Sequence, residues 1–301
     1  MKCTRPLAVF VALMLYPLVA SANHYADFYV IPIAGHTAGV NGTVWMSDVS
    51  LHNFQNAPLN ISVVFVQSGE GNPDNIFPLV TGTFTGSVTV PSGGSTTLKD
   101  VLNDFAGTPN ITGALLIGAD RPFAVTSRTY NLSPSGDSYG QTVPAARDFI
   151  DNSVGRTDTS MAVAYIPGLV NNSRFRTNLG FLAGNAGAPG ETMTLEVSLR
   201  DERGAAIGST RRFTIAPAGF TQLQFSSRSV ADRSFNDGSA SFRIVQGSGA
   251  VVPYASVIDN RTADATFILG QFPPNSQTTA AGTIAPAVFR SLFEQMKLME
   301  Y

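Results

Sequence analysis

Short runs of apolar, aromatic and β-branched residues alternate with clusters of Gly, Pro and Asn along most of the chain. This pattern is typical of all-β proteins, whereas helical periodicity is scarce before the C-terminal tail. The clearest run, 192–199, places alternate apolar residues, beginning with Met193, on one side and polar residues on the other. It predicts a strand with one solvent-facing side, and the following Asp-Glu-Arg-Gly segment, 201–204, predicts a turn into a hairpin partner.

The same pattern predicts about seven short strands in each half of the chain, which is typical of an immunoglobulin-like β-sandwich. In the first half the strands are expected near 28–33, 43–53, 59–67, 80–90, 95–101, 111–118 and 122–131. In the second half they are expected near 162–167, 174–183, 192–201, 206–215, 219–225, 239–246 and 251–260.

The two halves carry the same series of features, which indicates an internal repeat. Tyr29-Val-Ile-Pro32 opens the first half and Tyr165-Ile-Pro167 opens the second. Each half later has a Pro-X-Gly turn and a late strand, which ends in Tyr-Asn131 in the first half and Asp-Asn260 in the second. We therefore predict an all-β protein of two tandem immunoglobulin-like β-sandwich domains.

The domain organisation follows from this repeat and from the two termini. The predicted segments are a signal peptide at 1–22, a first β-sandwich domain at 23–131, a linker with a closing edge strand at 132–161, a second β-sandwich domain at 162–272, and a C-terminal tail and helix at 273–301. The tail has apolar residues at helical spacing within 286–299, which predicts a short amphipathic helix. This helix either caps the second sandwich or serves in docking or oligomerisation.

The first 22 residues have the three parts of a secretory signal peptide: a positive start, an apolar stretch and a small-residue cleavage site that ends at Ala22. A transmembrane anchor is the alternative, but the run is short and Pro17 interrupts it. The expected mature chain begins at Asn23 and has no later segment long and apolar enough to span a bilayer. It is predicted to be exported to the periplasm, the cell surface or the extracellular space.

Composition excludes several classes of function. Charged residues make up 13% of the chain and the formal net charge is −2, so the chain lacks the basic surface expected of a nucleic-acid-binding protein. The single cysteine, Cys3, lies within the predicted signal peptide. The mature chain would then have no disulfide, no thiolate metal site and no cysteine nucleophile.

The sequence offers little support for hydrolytic chemistry. Gly136–Gly140 formally matches the G-x-S-x-G nucleophile motif at Ser138, but that motif requires a following helix and a later histidine. The three histidines, His24, His36 and His52, all lie earlier, and their spacing matches no standard metal motif. A hydrolase would need Ser138 and His52 to converge with Asp48. We predict no catalytic, cofactor-binding or metal site.

Other candidate residues have structural explanations that compete with functional ones. Asp201, Glu202 and Asp48 form no evident carboxylate pair of the kind that glycosidases use. The Asn-rich segments 72–75 and 236–238 lack the pattern of a calcium loop and predict Asx turns.

Two further features of the first half remain open or point to the core. The 68–75 segment, which has no counterpart in the second half, is either a binding loop or a tolerated hairpin insertion. The only tryptophan, Trp45, aligns with Phe175, and this shared position predicts a core residue.

Several of these motifs resemble a group of exported bacterial proteins that carry immunoglobulin-like β-sandwich repeats of unassigned function. The best matches are Phe175–Leu179 and Tyr254–Asn260, with looser matches at Trp45–Val49 and Val125–Asn131. The likeness covers most of 28–270. It implies a sandwich fold and export, and it carries over no catalytic residue.

The sequence predicts a non-enzymatic exported structural, adhesive or partner-binding protein of the cell envelope. Its partner would be a protein or an envelope polymer, bound through loops or an open sheet edge. A carbohydrate- or polymer-binding module is the alternative, and it requires exposed Phe and Tyr side chains in a flat strip. A secreted hydrolase is the third possibility.

Overall fold

A computed structural model of the chain describes residues 26–39, 42–69, 85–106, 110–147, 150–152, 163–185, 190–216 and 220–272. The predicted signal peptide, most of the 68–75 segment and the C-terminal tail with its predicted helix lie outside the described residues. The described chain is nearly all β, and its strands pair antiparallel in several sheets, as the all-β prediction expects. No helix among these residues is long and apolar enough to cross a bilayer.

Seven strands and one short helix make up the described part of the first half. They are β1 (Ala26–Ala38), β2 (Val44–His52), β3 (Leu59–Gln67), β4 (Thr85–Val90), β5 (Ser95–Leu98), α1 (Val101–Ala106), β6 (Ile111–Leu132) and β7 (Ser138–Val143). The residues of the second half that the structure describes contain nine strands: β8 (Ile150–Asn152), β9 (Val163–Asn171), β10 (Phe175–Asn185), β11 (Met193–Arg200), β12 (Arg211–Ile215), β13 (Phe220–Ser226), β14 (Phe235–Gln246), β15 (Gly249–Asp259) and β16 (Ala265–Leu269).

The long strand β6 belongs to two sheets. Its first part pairs with β3 and β1, which gives sheet A in the order β4-β3-β6-β1. Its second part pairs with β2 and β7, which gives sheet B in the order β5-β2-β6-β7. The change of sheet falls near Pro122, which has no N–H to donate to a ladder. Two separate strands were predicted here, and the structure corrects this to one strand that bends between sheets.

The second half repeats these two strand orders. Sheet C has the order β13-β10-β15-β16, with β8 also paired to β15, and sheet D has the order β12-β11-β14-β9. Here β14 and β15 replace the two parts of β6, and a turn with Gly247 at φ 78° separates them. Strand β14 lies in sheet D and β15 in sheet C, where β15 pairs with the last strand, β16.

Each half has an apolar core between its two sheets, and Tyr254 of sheet C also joins the first core. Met193, Leu195, Val197 and Leu199 are buried in the second core, while the residues between them are half-buried, so the predicted one-sided strand is confirmed. Helix α1, where a strand end was expected, contributes the buried side chains of Val101 and Leu102 to the first core.

A third apolar cluster joins the two halves. It combines side chains from the outer face of sheet A with side chains from the outer face of sheet C. Its buried members are Phe28, Val30, Val64, Val66, Ala114, Leu116, Ala146, Leu182, Ala250 and Val252. The four sheets therefore stack in the order B, A, C, D, and the two middle sheets are buried on both faces.

Candidate functional site

A cleft of about 200 Å³ opens where sheets A and C diverge. One wall comes from the ends of β1, β2, β6 and β7 in the first half, and the other from the outer face of sheet C. Ile33, Ala34, Ile258 and Ala265 supply apolar lining, and Thr, Ser, Asn, Gln, Trp and Arg side chains supply the rest. Clefts between packed units are common locations for ligand sites.

The outer face of strand β10 explains why the cleft forms at this end. Alternate residues of a strand share a face, so Leu182, Gly180, Asn178 and Arg176 follow one another along it. Leu182 is fully buried in the contact between the halves, whereas Asn178 and Arg176 are half-buried and line the cleft. Apolar side chains pack the sheets together at one end, and polar side chains line the opening at the other.

Tyr254 marks the boundary between the apolar contact and the cleft. Its side chain is fully buried, and its ring occupies the space where any Cβ on Gly180 would lie. The ring stacks on Phe267 with centroids 5.5 Å apart, and its hydroxyl accepts a 2.7 Å hydrogen bond from Gln222 Nε2. Burial raises the pKa of Tyr254 far above its ordinary value, so the phenol stays neutral.

Trp45 lines the cleft as a half-buried side chain, which corrects the prediction that it is a core residue. The position explains the difference, because Trp45 pairs with Thr37 and Asn131 at the end of β2, where the first sandwich opens towards the cleft. The aligned Phe175 is likewise half-buried. A shared aromatic position therefore did not identify a core residue.

Arg176 is the only charged residue among the described residues that line the cleft. Its Nη1 donates a 2.7 Å hydrogen bond to the amide oxygen of Asn260. Within the described chain, no carboxylate lies within 4.0 Å of its guanidinium, in contrast to the nearby Arg174, which pairs with Asp259 at 3.1 Å. The cleft thus has a net positive charge.

A weak polar contact joins the two walls. Gln141 Nε2 lies 3.3 Å from Ser256 Oγ, which links strand β7 of the first half to β15 of the second. Threonine, serine and amide side chains both donate and accept hydrogen bonds, so these walls suit a ligand with several hydroxyl groups. The sequence does not reveal Arg176, Asn178, Gln141 and Ser256 as site residues, because polar residues are also expected on the face of any strand that faces solvent.

A separate polar cluster surrounds Asp48 on sheet B. Asp48 accepts hydrogen bonds from Lys99 Nζ at 2.7 Å, from the Asp100 N–H at 2.9 Å and from the Tyr130 hydroxyl at 3.3 Å. Burial acts to raise the pKa of Asp48, but the hydrogen bonds from Lys99 and Asp100 outweigh it and hold that pKa below its ordinary value. This cluster secures the turn after β5, where Asp100 has φ 45°.

The predicted histidine and hydrolase candidates do not converge. His36 Nδ1 contacts Asp100 Oδ2 at 2.8 Å and His52 Nδ1 contacts Ser95 Oγ at 2.9 Å, while His24 lies outside the described residues. Among the described residues, no group of three or more His, Cys, Asp or Glu side chains could hold a metal ion.

The positions of Asp48, His52 and Ser138 can be compared along β6, because they sit opposite Arg128, Ala124 and Leu132, respectively. At about 3.3 Å per residue, His52 and Ser138 are roughly 26 Å apart along the sheet. Ser138 begins strand β7, and its hydroxyl accepts a 3.1 Å hydrogen bond from Arg128 Nη2. The geometry gives no support to a hydrolase built on these residues.

The predicted turns have different outcomes. Asp201 accepts hydrogen bonds from the N–H groups of Arg203 and Ala205, which confirms the turn at 201–204. Asn236–Gly238 was expected to form an Asx turn, but these residues belong to β14, where the pairing register with β9 shifts. The polar residues there accommodate a bulge in a strand, and the expectation of a turn is wrong. Residues 72–75 lie outside the described chain.

The exposed aromatic side chains of the described chain lie on separate surfaces. They are Phe54 after β2, Tyr139 on β7 and Tyr165 on β9, and Tyr165 belongs to sheet D at the opposite side of the stack. These residues do not form the flat strip that the carbohydrate-binding alternative required. Comparison of the chain with protein-family models, with curated proteins and with solved structures finds no match.

Proposed function

We propose that the protein is a non-enzymatic exported binding protein of the cell envelope, and that the cleft between its halves is the binding site. The observation that carries this proposal is the composition of the cleft, which combines an indole, a guanidinium without a carboxylate partner in the described chain and several neutral hydrogen-bonding side chains on an apolar base. A concave site with an apolar base and a few polar groups is typical of ligand recognition.

Binding explains the cleft better than catalysis. General acid–base and nucleophilic mechanisms need a group that gives or takes a proton near neutral pH. Among the described residues that line the cleft, Arg176 is the only ionisable one, and a guanidinium remains protonated throughout that range. The lining is therefore suited to hold a ligand by hydrogen bonds, charge and stacking.

The tandem-domain and export proposals accompany this function. The identical strand orders of the two halves support two tandem immunoglobulin-like β-sandwich domains derived from one repeated unit. The signal-peptide pattern of 1–22 supports export to the periplasm, the cell surface or the extracellular space. The partner would be an envelope protein or polymer.

The test is site-specific photo-cross-linking in the native envelope. A photoreactive residue at Gln224, which is exposed at the cleft, is compared with one at Arg243, which is exposed on sheet D at the opposite side of the second half. The proposal expects a reproducible product with an envelope component from position 224 and none from position 243. Equal products from both positions, or products only from position 243, would contradict it.

A further inference from the structure

We propose that the ligand of the cleft is an anionic saccharide, a polyhydroxylated ring that carries a carboxylate, phosphate or sulfate group. This inference rests on the proposed function, since it assigns a ligand class to the same cleft. It is carried by three features of the site: the charge of Arg176, the indole of Trp45 and the neutral polar walls.

The guanidinium of Arg176 determines the charge of the ligand. It is half-buried, it contributes one hydrogen bond to the neutral amide of Asn260, and it has no carboxylate partner within the described chain. A partly buried cation without a counter-ion bears a desolvation cost that an incoming anion offsets. Arginine binds carboxylate and phosphate groups through paired N–H donors, so the anionic group of the ligand would sit against it.

The remaining lining determines the polyhydroxylated ring. Gln141, Asn178 and Ser256 present groups that both donate and accept hydrogen bonds, which matches neighbouring hydroxyl groups of a sugar. The indole of Trp45 offers an apolar face with one N–H donor, which suits the C–H face of a ring. No carboxylate belongs to the described lining, so nothing there repels an anion.

Size favours one sugar unit over an extended peptide. A volume of about 200 Å³ holds about seven water molecules at 30 Å³ each, so the ligand that fills the cleft must be compact. Peptides that bind β proteins usually extend a sheet through main-chain hydrogen bonds. The cleft is instead lined mainly by side chains on strand faces, which favours a compact ligand over a strand.

The experiment uses the fluorescence of Trp45, which is the only tryptophan in the chain and therefore reports on the cleft alone. The protein is titrated with glucuronate, glucose 6-phosphate, glucose 6-sulfate, glucose and inorganic phosphate, and isothermal titration calorimetry gives the affinities. We expect at least one of the three anionic sugars to bind about 10- to 100-fold more tightly than glucose. Their relative affinities identify the anionic group.

Arg176→Gln tests the assigned anchor, and Arg243→Gln is the matched control because it removes the same charge from the exposed face of sheet D. We expect Arg176→Gln to abolish the preference for the anionic sugar and Arg243→Gln to leave it unchanged. Circular dichroism checks the fold of both variants. If Arg176→Gln does not fold, the salt dependence of wild-type binding decides, because binding through Arg176 must weaken as salt increases.

Each outcome separates this inference from the proposed function. Glucose binding as tightly as the anionic sugars, or an unchanged preference in Arg176→Gln, overturns the anionic part. Inorganic phosphate binding as tightly as the sugars overturns the saccharide part. If no sugar binds but position 224 cross-links to an envelope protein, the inference fails and the proposed function stands; if neither occurs, both fail.

Discussion

Leu182→Ala tests whether the two halves depend on each other for stability. Leu182 is fully buried on the outer face of sheet C, where its neighbours include side chains of sheet A in the other half. Loss of the transferred apolar surface alone costs about 2 kcal/mol, and the cavity left behind raises the total to about 3–5 kcal/mol. If the halves did not stack, Leu182 would face solvent and the change would cost less than about 0.5 kcal/mol.

Urea denaturation measures this cost, with Trp45 fluorescence and far-UV circular dichroism recorded on the same samples. Trp45 lies in the first half and Leu182 in the second, so a shift in the fluorescence transition reports coupling between them. With an m-value of about 3 kcal/mol per M, we expect the midpoint of both signals to fall by about 1 M. Leu223→Ala is the control, because it removes a buried leucine from the second core and not from the contact between the halves. A fluorescence midpoint that Leu182→Ala leaves unchanged would refute the stacking.

Three further predictions concern buried polar groups. Tyr254→Phe removes the buried acceptor of Gln222 and should lower the free energy of unfolding by about 1–3 kcal/mol in thermal denaturation, whereas no change would show that water replaces the hydroxyl. Folding lowers the pKa of Asp48 from 3.8, so the contribution of its carboxylate to stability is complete above that pH and is lost as the pH falls through the folded pKa. Asp48→Asn should therefore reduce the slope of the free energy of unfolding against pH on the acid side. An unaltered slope would contradict this. The amides of Asn53 and Asn185 each donate to three backbone carbonyls, and alanine at either position should cost about 2 kcal/mol or more in urea; a negligible cost would show that water satisfies those carbonyls.

The secondary structure was largely predictable because most strands show a local alternation of apolar and polar residues or a short apolar run. Strand β11 alternates cleanly, since only one of its faces is covered. The runs 63–66 and 114–117 are apolar without alternation, which is the pattern of strands buried on both faces. Such a pattern favours a second covering layer, but it does not identify sheet C as that layer, because the contacting residues are distant along the chain.

The cleft was harder to predict for a related physical reason. Its walls consist of strand faces from both halves, and its polar residues occupy the positions that solvent-facing residues also occupy. Arg176 differs from an ordinary surface arginine only in the absence of a carboxylate partner among the described residues and in its half-buried position. Both properties depend on how the halves stack, and neither can be read from spacing along the sequence.

The way the halves stack also bears on whether further copies of the unit could be added. By strand order, sheet B of the first half corresponds to sheet C of the second, and sheet A corresponds to sheet D. The contact between A and C is therefore head-to-tail, a kind of contact that can in principle add units without end and form a filament. The outward positions of the terminal sheets carry polar side chains instead, such as Asp48 and Arg128 on sheet B and the paired Glu196 and Arg212 on sheet D. Polar outer faces disfavour the addition of a further unit at either end, much as polar terminal repeats keep a solenoid soluble.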